Sequence, residues 1–256
     1  MHSNRENKLN RNNILFIMDI PIIDNLLVIS VATDPHDKGF QYFINSLKHN
    51  NIQYKILGLN TKWNGGIMEE GMGGGQKINL LKAELKRWDT VKLKTTLLLF
   101  SDSYDVITVS TESEIIKKYY SISKNHILFS AEKYCWPDIS LEKYYPNTKS
   151  NYKFLNSGGF IGNAYDILNI LTMDINDNDD DQLYFTKIFL FNNVNIKLDY
   201  NCQIFQTLNG NIQDIYIYKN RIINKSHLTF PSFIHGNGNS KEYLYNIAKK
   251  LFIMRT

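Results

Sequence analysis

Residues 95–106 read TTLLLFSDSYDV, and this stretch decides the architecture. Leu97, Leu98, Leu99 and Phe100 form an uninterrupted apolar run, the pattern of a strand buried on both faces in a parallel sheet. Asp102 closes that run, at the strand end where open α/β sheets take their ligands. Working outward, LLVISVAT (26–33), YKILGL (54–59) and ILFSAE (127–132) read as further buried strands. Between them, GFQYFINSLKHN (39–50) sets Phe40, Phe43, Ile44 and Leu47 at helical spacing. QKINLLKAELKRW (76–88) does the same with Ile78, Leu81 and Leu85, and TESEIIKKYYSI (111–122) opens with Thr111 and Glu114, a capping-box start. Strands alternate with helices through residue 132, which argues for an α/β sheet with parallel strands.

The remainder is less regular. FLNSGGFIGN (154–163) reads as a strand broken by a glycine pair. AYDILNILTM (164–173) and DQLYFTKIFLF (181–191) read as helices, and IKLDY (196–200), DIYIY (214–218) and SFIH (232–235) as short strands. No Pro- or Ser-rich linker and no internal repeat divides the chain. The expectation is a polar tail and lead-in at 1–25 and one domain over 26–256, with halves near 26–132 and 133–256.

Composition narrows the classes. A 256-residue chain can bury about 70–75% of its unfolded surface without a staple. With 43% hydrophobic and 13% aromatic residues, global disorder is excluded. A net charge of +4 is too thin a balance to indicate nucleic acid. Two cysteines, Cys135 and Cys202, can build neither a disulfide framework nor a four-thiolate zinc site, and read as free thiols. ILFIMDIPIIDNLLVIS (14–30) is interrupted by Asp19, Pro21 and Asp24, so neither a membrane span nor a signal peptide is expected, and a cytoplasmic location follows. On that basis the Asn-x-Ser sequon at Asn224 is expected to stay unglycosylated.

Five constellations can carry chemistry. Asp102 and Asp105 reach one hard cation if Ser103 and Tyr104 turn the chain; otherwise Asp102 caps the loop and Asp105 is solvated. His235, in SFIHGNGNSK (232–241), precedes Gly236 and Gly238, where backbone can approach a ligand closely. A lone histidine is more often structural, but one completing the Asp pair gives an O,O,N set suited to Mn²⁺. Asp177, Asn178, Asp179, Asp180, Asp181 and Gln182 read either as a solvated helix N-terminus or as carboxylates that face sugar hydroxyls or take a proton. GMGGGQK (71–77), ending in Lys77, can cradle phosphates, although it matches neither GxxxxGK[ST] nor a first-crossover GxGxxG. Trp63, Tyr104 and Trp136 lie beside these motifs, where aromatic faces stack on bases and sugars or simply pack a core. No GxSxG nucleophile motif occurs.

Taken in order, VATDPHDKGF, LGLNTKWNGG, GGGQKINLLKAEL, SDSYDV, FSAEKYCWPD, FLNSGGFIG, DDDQLYFTK, IFQTLNG and HGNG resemble the N-terminal glycosyltransferase domain of the procollagen lysyl hydroxylases, from about Leu26 to Lys241. The resemblance implies a GT-A-type fold, a Rossmann-like mixed sheet flanked by helices, with a nucleotide-sugar half followed by an acceptor half. It also implies Mn²⁺ dependence and a UDP-sugar donor. It assigns the metal to Asp102, Asp105 and His235, and the uracil neighbourhood to Tyr104. The nucleotide pocket falls to Val31, Thr33, Lys77 and Asn237. Trp136, Asp180 and Asp181 map to the sugar and acceptor region where catalysis takes place. Glu132 and Asn156 lie in equally similar blocks.

The function implied is transfer of glucose from UDP-glucose to galactosyl-hydroxylysine of collagen or a collagen-like protein, with retention of configuration. The family's proteins continue into an accessory domain and an iron- and 2-oxoglutarate-dependent hydroxylase domain. This chain is expected to stand alone and not to hydroxylate, in a large DNA virus or an AT-rich protist. Three other readings compete. Galactosyl transfer to hydroxylysine would invert the anomeric centre and need a general base. An inert UDP-sugar- or collagen-binding module would not be expected to keep Asp102, Asp105 and His235. A divalent-metal nuclease lacks a phosphate-tracking basic stripe.

Overall fold

The computed structural model describes residues 25–66, 73–123 and 125–253; the tail expected at 1–25 lies outside them except for Asn25. In chain order the elements are β1 (Leu26–Val31), α1 (Lys38–His49), β2 (Tyr54–Leu57), α2 (Gly75–Leu85), α3 (Thr90–Thr95), β3 (Leu97–Ser101), β4 (Val106–Thr108), α4 (Glu112–Ser123) and β5 (Ile127–Glu132). They continue as β6 (Phe154–Asn163), α5 (Ala164–Ile170), α6 (Asp181–Phe191), β7 (Ile196–Leu198), β8 (Phe205–Thr207), β9 (Ile215–Tyr218), β10 (Arg221–Asn224), β11 (Phe233–His235) and α7 (Lys241–Ile253).

The main sheet has the order β2-β1-β3-β6-β5-β7. β1 runs parallel to β2 and β3, and β5 parallel to β7, while β6 runs antiparallel to both β3 and β5. The sheet is therefore mixed, as the family resemblance implied. Period-two alternation splits its side chains between two cores. Ile29, Val31, Leu98 and Phe100 face Ile78, Leu81 and Leu85 of α2 and Phe185 and Ile188 of α6. Leu26, Val28, Leu97 and Leu99 face Phe40, Phe43 and Leu47 of α1 and Ile115 of α4. A second sheet, β4-β11-β8, packs under α7 through Ile107, Ile234, Leu244 and Ile247.

Three local readings need correction. β6 is one unbroken strand, yet its pairing with β5 jumps from Phe129↔Phe160 to Ser130↔Asn156. The intervening residues bulge away from β5 while Gly159 still pairs with Ser101, and bulges of this kind re-aim side chains beside active sites. The capping box does not form: Glu114 turns to Lys118 at 2.8 Å and Arg221 at 2.5 Å instead of back to Thr111. α2 stops at Leu85, and Asp89 starts α3 by accepting from the Lys92 amide at 2.7 Å, so Thr95 is helical. Cys135 and Cys202 are buried free thiols. Asn224 is buried, and its amide donates to Gln206 at 2.7 Å, which keeps the sequon nitrogen occupied in the folded chain.

Candidate active site

β3 ends at Ser101, and Ser103 and Tyr104 make the turn that returns the chain as β4. The turn is fixed from below: the Ser103 hydroxyl donates to the Val31 carbonyl at 2.8 Å, and the Asp102 amide to the Gly158 carbonyl at 3.0 Å. β11 pairs with β4 in the register His235↔Val106, which sets the imidazole beside Asp105. Asp102, Asp105 and His235 each offer one ligand atom, and these atoms all lie within 4.8 Å of one another. His235 Nε2 is 3.3 Å from Asp105 Oδ2 and 3.9 Å from Asp102 Oδ2. Two carboxylates and an imidazole, with the carboxylates partly open to solvent, fit a divalent cation that keeps positions for further oxygen ligands. Burial alone would lower the His235 pKa, but Asp105, Asp102 and Glu132 outweigh it and raise the value. Burial likewise opposes ionisation of Asp105, which His235 and then Lys241 nevertheless hold below the usual carboxylate range.

Lys77 joins this cluster to the acidic run. Its Nζ lies 2.9 Å from Asp102 Oδ1 and 2.6 Å from Asp181 Oδ2, with all three side chains largely out of water. Burial disfavours the ammonium, yet the two carboxylates raise its pKa well above the ordinary lysine value. The juxtaposition is built by backbone: Gly75 and Gln76 amides donate to Asp179 and Asp177 carbonyls at 2.9 Å each, and the Asp181 amide to Gly73 at 3.0 Å. Gly74 sits at φ +101°, and a Cβ there would come within 2.7 Å of Asp181 Cγ and 2.9 Å of Lys77 Cε. Neighbouring residues of the run are placed differently. Asp180 is the helix cap, accepting from the Leu183 amide at 2.6 Å, while Asp181 is buried in an ion pair.

Tyr104 reaches the end of β1, where its hydroxyl oxygen accepts from the Thr33 and Asp34 amides at 2.8 and 2.9 Å. Lys241 Nζ lies 5.9 Å from the Tyr104 ring centroid. Trp136 is 49% exposed and touches the site through its carbonyl, which accepts from Gln182 at 3.2 Å. Asn237 is buried: its Oδ1 accepts from the Leu208 and Asn209 amides, and its Nδ2 donates to Glu132 at 3.1 Å. Its side chain thus anchors the loop after His235. Trp63 packs at the other edge, its indole donating to the Gly66 carbonyl at 2.8 Å.

A family model described as the PLOD GT domain matches residues 23–252 of this chain. The chain belongs to the PLOD GT domain family. It is 41% identical, over 86% of its length, to an uncharacterized protein of Acanthamoeba polyphaga mimivirus, of which it covers 48%. It is 39% identical over 85% of its length to the multifunctional procollagen lysine hydroxylase and glycosyltransferase of Rattus norvegicus, of which it covers 30%. It is 42% identical over 85% of its length to the procollagen-lysine,2-oxoglutarate 5-dioxygenase of Drosophila melanogaster, of which it covers 31%. The chain thus spans about half or less of these relatives. A solved glycosyltransferase involved in the glycosylation of the major capsid of PBCV-1 overlays with a TM-score of 0.53 at 9% identity, covering 88% of this chain and 99% of that one. The likeness is one of fold, the α/β GT-A type. Among the described residues, no helix is long and apolar enough to cross a membrane.

In this PLOD GT domain, several residues that shape the site had no chemical signal in the sequence. Gly158 is one: a Cβ there would lie 2.2 Å from His235 Cε1 and 3.0 Å from Asp102 Oδ2. Gly158→Ala is therefore expected to displace the imidazole and weaken binding of a divalent cation at least tenfold while leaving the sheet folded, which calorimetric titration with Mn²⁺ beside far-UV circular dichroism would measure. Cation binding at wild-type strength would place His235 elsewhere. Lys241 was likewise unmarked as a site residue, because a surface lysine has no distinctive spacing, and Gln182 entered only as the end of the acidic run.

Proposed function

We propose that this domain transfers glucose from UDP-glucose to galactosyl-hydroxylysine on collagen or a collagen-like chain, with Mn²⁺ as cofactor and the anomeric configuration retained. The observation that carries the reading is the Asp102–Asp105–His235 cluster joined through Lys77 to Asp181, in a member of a glycosyltransferase domain family whose relatives are named for procollagen lysine. A divalent cation at that cluster, when bound, would neutralise charge on the donor diphosphate. Lys77 and Lys241 add fixed positive charge on the side where the leaving group develops its own. Tyr104 with the end of β1 at Val31 and Thr33 would seat the nucleotide, and Asn237 would hold the loop that closes on it. Trp136 offers an exposed aromatic face to a sugar.

In the step itself the C1–O bond to the diphosphate breaks with its electron pair leaving on UDP. The acceptor hydroxyl forms the new C1–O bond, and its proton passes to the departing phosphate oxygen. The 2.6 Å pair with Lys77 spends the basicity of Asp181 on the ammonium, which favours this front-side course over a carboxylate nucleophile. Asp180 is left to orient the acceptor. Burial, with Asp181 alongside, pushes Asp180 up to about 6, so its carboxylate is ionised above that pH and protonated below it. Acceptor-dependent turnover is expected to fall up to about tenfold per unit as pH drops below that value. Asp180→Asn keeps a competent helix cap and is expected to remove this acid limb; a pH–rate profile with the limb unchanged would take Asp180 out of the reaction.

The reading is tested by UDP release with Mn²⁺ across a panel of UDP-sugars, with and without galactosyl-hydroxylysine. Release stimulated by acceptor and greatest with UDP-glucose is expected. Preference for UDP-galactose with free hydroxylysine would reassign the reaction, and UDP binding without release from any donor would make the domain a binding module.

A further inference from the structure

Beside the cation cluster lies a buried polar network, Glu132, Asn156, Gln182 and Asn237, for which the transfer step has no direct use. Its orientation is set by backbone groups whose donors and acceptors are unambiguous. The Ser157 amide donates to Gln182 Oε1 at 3.2 Å and the Trp136 carbonyl accepts from Gln182 Nε2 at 3.2 Å, which turns that Nε2 onto Glu132 Oε1 at 2.8 Å. The Gly158 amide donates to Asn156 Oδ1 at 3.1 Å, while Asn156 Nδ2 donates to Glu132 Oε1 at 2.9 Å and Gln182 Oε1 at 3.2 Å. Reversing the Asn156 amide would set its oxygen against two acceptors and its NH₂ against an N–H, so the network permits one orientation. Glu132 Oε2 takes the Asn237 amide at 3.1 Å, completing a shell of three side-chain donors around one carboxylate.

The atom this leaves facing the His235 ring is Asn156 Oδ1, 3.2 Å from Nδ1. An oxygen with no proton of its own requires the proton on Nδ1. The other ring nitrogen, Nε2, is the one turned to Asp105 and Asp102.

We infer that Glu132, Gln182 and Asn156 are positioning residues that keep a proton on His235 Nδ1 and so hold the ring with Nε2 turned to the cation site formed with Asp102 and Asp105, where a cation would take its lone pair. The inference rests on the metal reading above. Partners on the far nitrogen of a ligating histidine fix its tautomer and ring angle, and their loss costs about 10–100-fold in metal affinity. The chain of contacts also explains the bulge in β6: it brings the Ser157 and Gly158 amides inward to fix both side-chain amides.

The test uses the full chain labelled with ¹⁵N-histidine and saturated with Zn²⁺, a diamagnetic stand-in for Mn²⁺, because without a cation Asp105 Oδ2, 3.3 Å from Nε2, would hold a proton on that nitrogen as well. The His235 resonances, identified by their absence in His235→Ala, are expected to show a proton on Nδ1 and none on Nε2. Asn156→Leu is expected to lose that preference and to weaken Mn²⁺ binding, followed through the free-ion paramagnetic signal, by about 10–100-fold. If Asn156→Leu does not fold, Glu132→Gln, which sets an amide donor among donors, carries the same expectation. A wild-type spectrum with the proton on Nε2 would overturn the inference, as would a folded variant that binds Mn²⁺ like wild type. Failure of the metal reading looks different: His235→Ala would then bind Mn²⁺ as tightly as wild type although the wild-type tautomer was the expected one, and the inference would fall with that reading.

Discussion

Replacing His235 by alanine is expected to reduce metal-dependent sugar transfer to background, a loss of at least about 10²–10³-fold, the scale set by removing one group that faces transition-state charge. The fold should survive. His235 ends β11, whose pairing with β4 and β8 is made by backbone, and the Asn156 oxygen released by the imidazole still accepts from the Gly158 amide. His235→Ala is also a cleaner probe than Asp102→Ala, which would strip Lys77 of one of its two carboxylates. UDP release, Mn²⁺ titration and circular dichroism on the same preparation separate the outcomes. Wild-type turnover in His235→Ala would remove the imidazole from the metal assignment, and loss of the circular dichroism signal would show the residue holding the fold instead.

Lys77→Met should cost both activity and stability. The substitution keeps the bulk of the side chain and deletes the charge, leaving Asp102 and Asp181 facing each other without the ammonium between them. Breaking a buried pair by removing one partner costs about 3–5 kcal/mol, because the charge left behind is not resolvated. The sign with pH follows from linkage. In the wild type the lysine pKa is raised, so its stabilisation is complete at neutral pH and is lost only at strongly alkaline pH. In Lys77→Met the orphaned Asp181 favours its protonated form, so the variant should regain more stability than the wild type on acidification through the carboxylate range: burial already holds Asp181 above the usual carboxylate value, and loss of the ammonium would raise it further. Denaturant unfolding at two pH values measures this, and adding Asp181→Asn should restore stability without restoring turnover. A Lys77→Met protein as stable as wild type at neutral pH would mean that the pair contributes nothing to the fold.

Much of the architecture was legible locally. The apolar run from Leu97 to Phe100, the helical spacing of Phe40, Phe43, Ile44 and Leu47, and the spacing of Ile78, Leu81 and Leu85 are short-range periodicities, and each element formed where its period lay. The errors were also local. Glycines 158 and 159 read as a break because glycine weakens an isolated strand, but pairing with β3 carries the strand through them while it bulges away from β5. Glu114 read as a cap because Arg221, 107 residues away, was invisible.

The amino-acid sequence by itself determined the α/β class, the strand end that carries Asp102, the Asp102–Asp105 spacing and, through the family resemblance, His235 as their partner. These rest on contiguous residues, or on blocks long enough to be matched as wholes. Only the tertiary structure decided which of the carboxylates at Asp180 and Asp181 caps a helix and which is buried against Lys77. It alone decided that the amide of Asn237 ties a loop to Glu132, and that Asn156, 79 residues from His235, holds its ring. The physical reason is that an ionisable or amide side chain takes its role from burial and from the partner it meets. Both are set by how the sheet brings distant segments together, which no local period records.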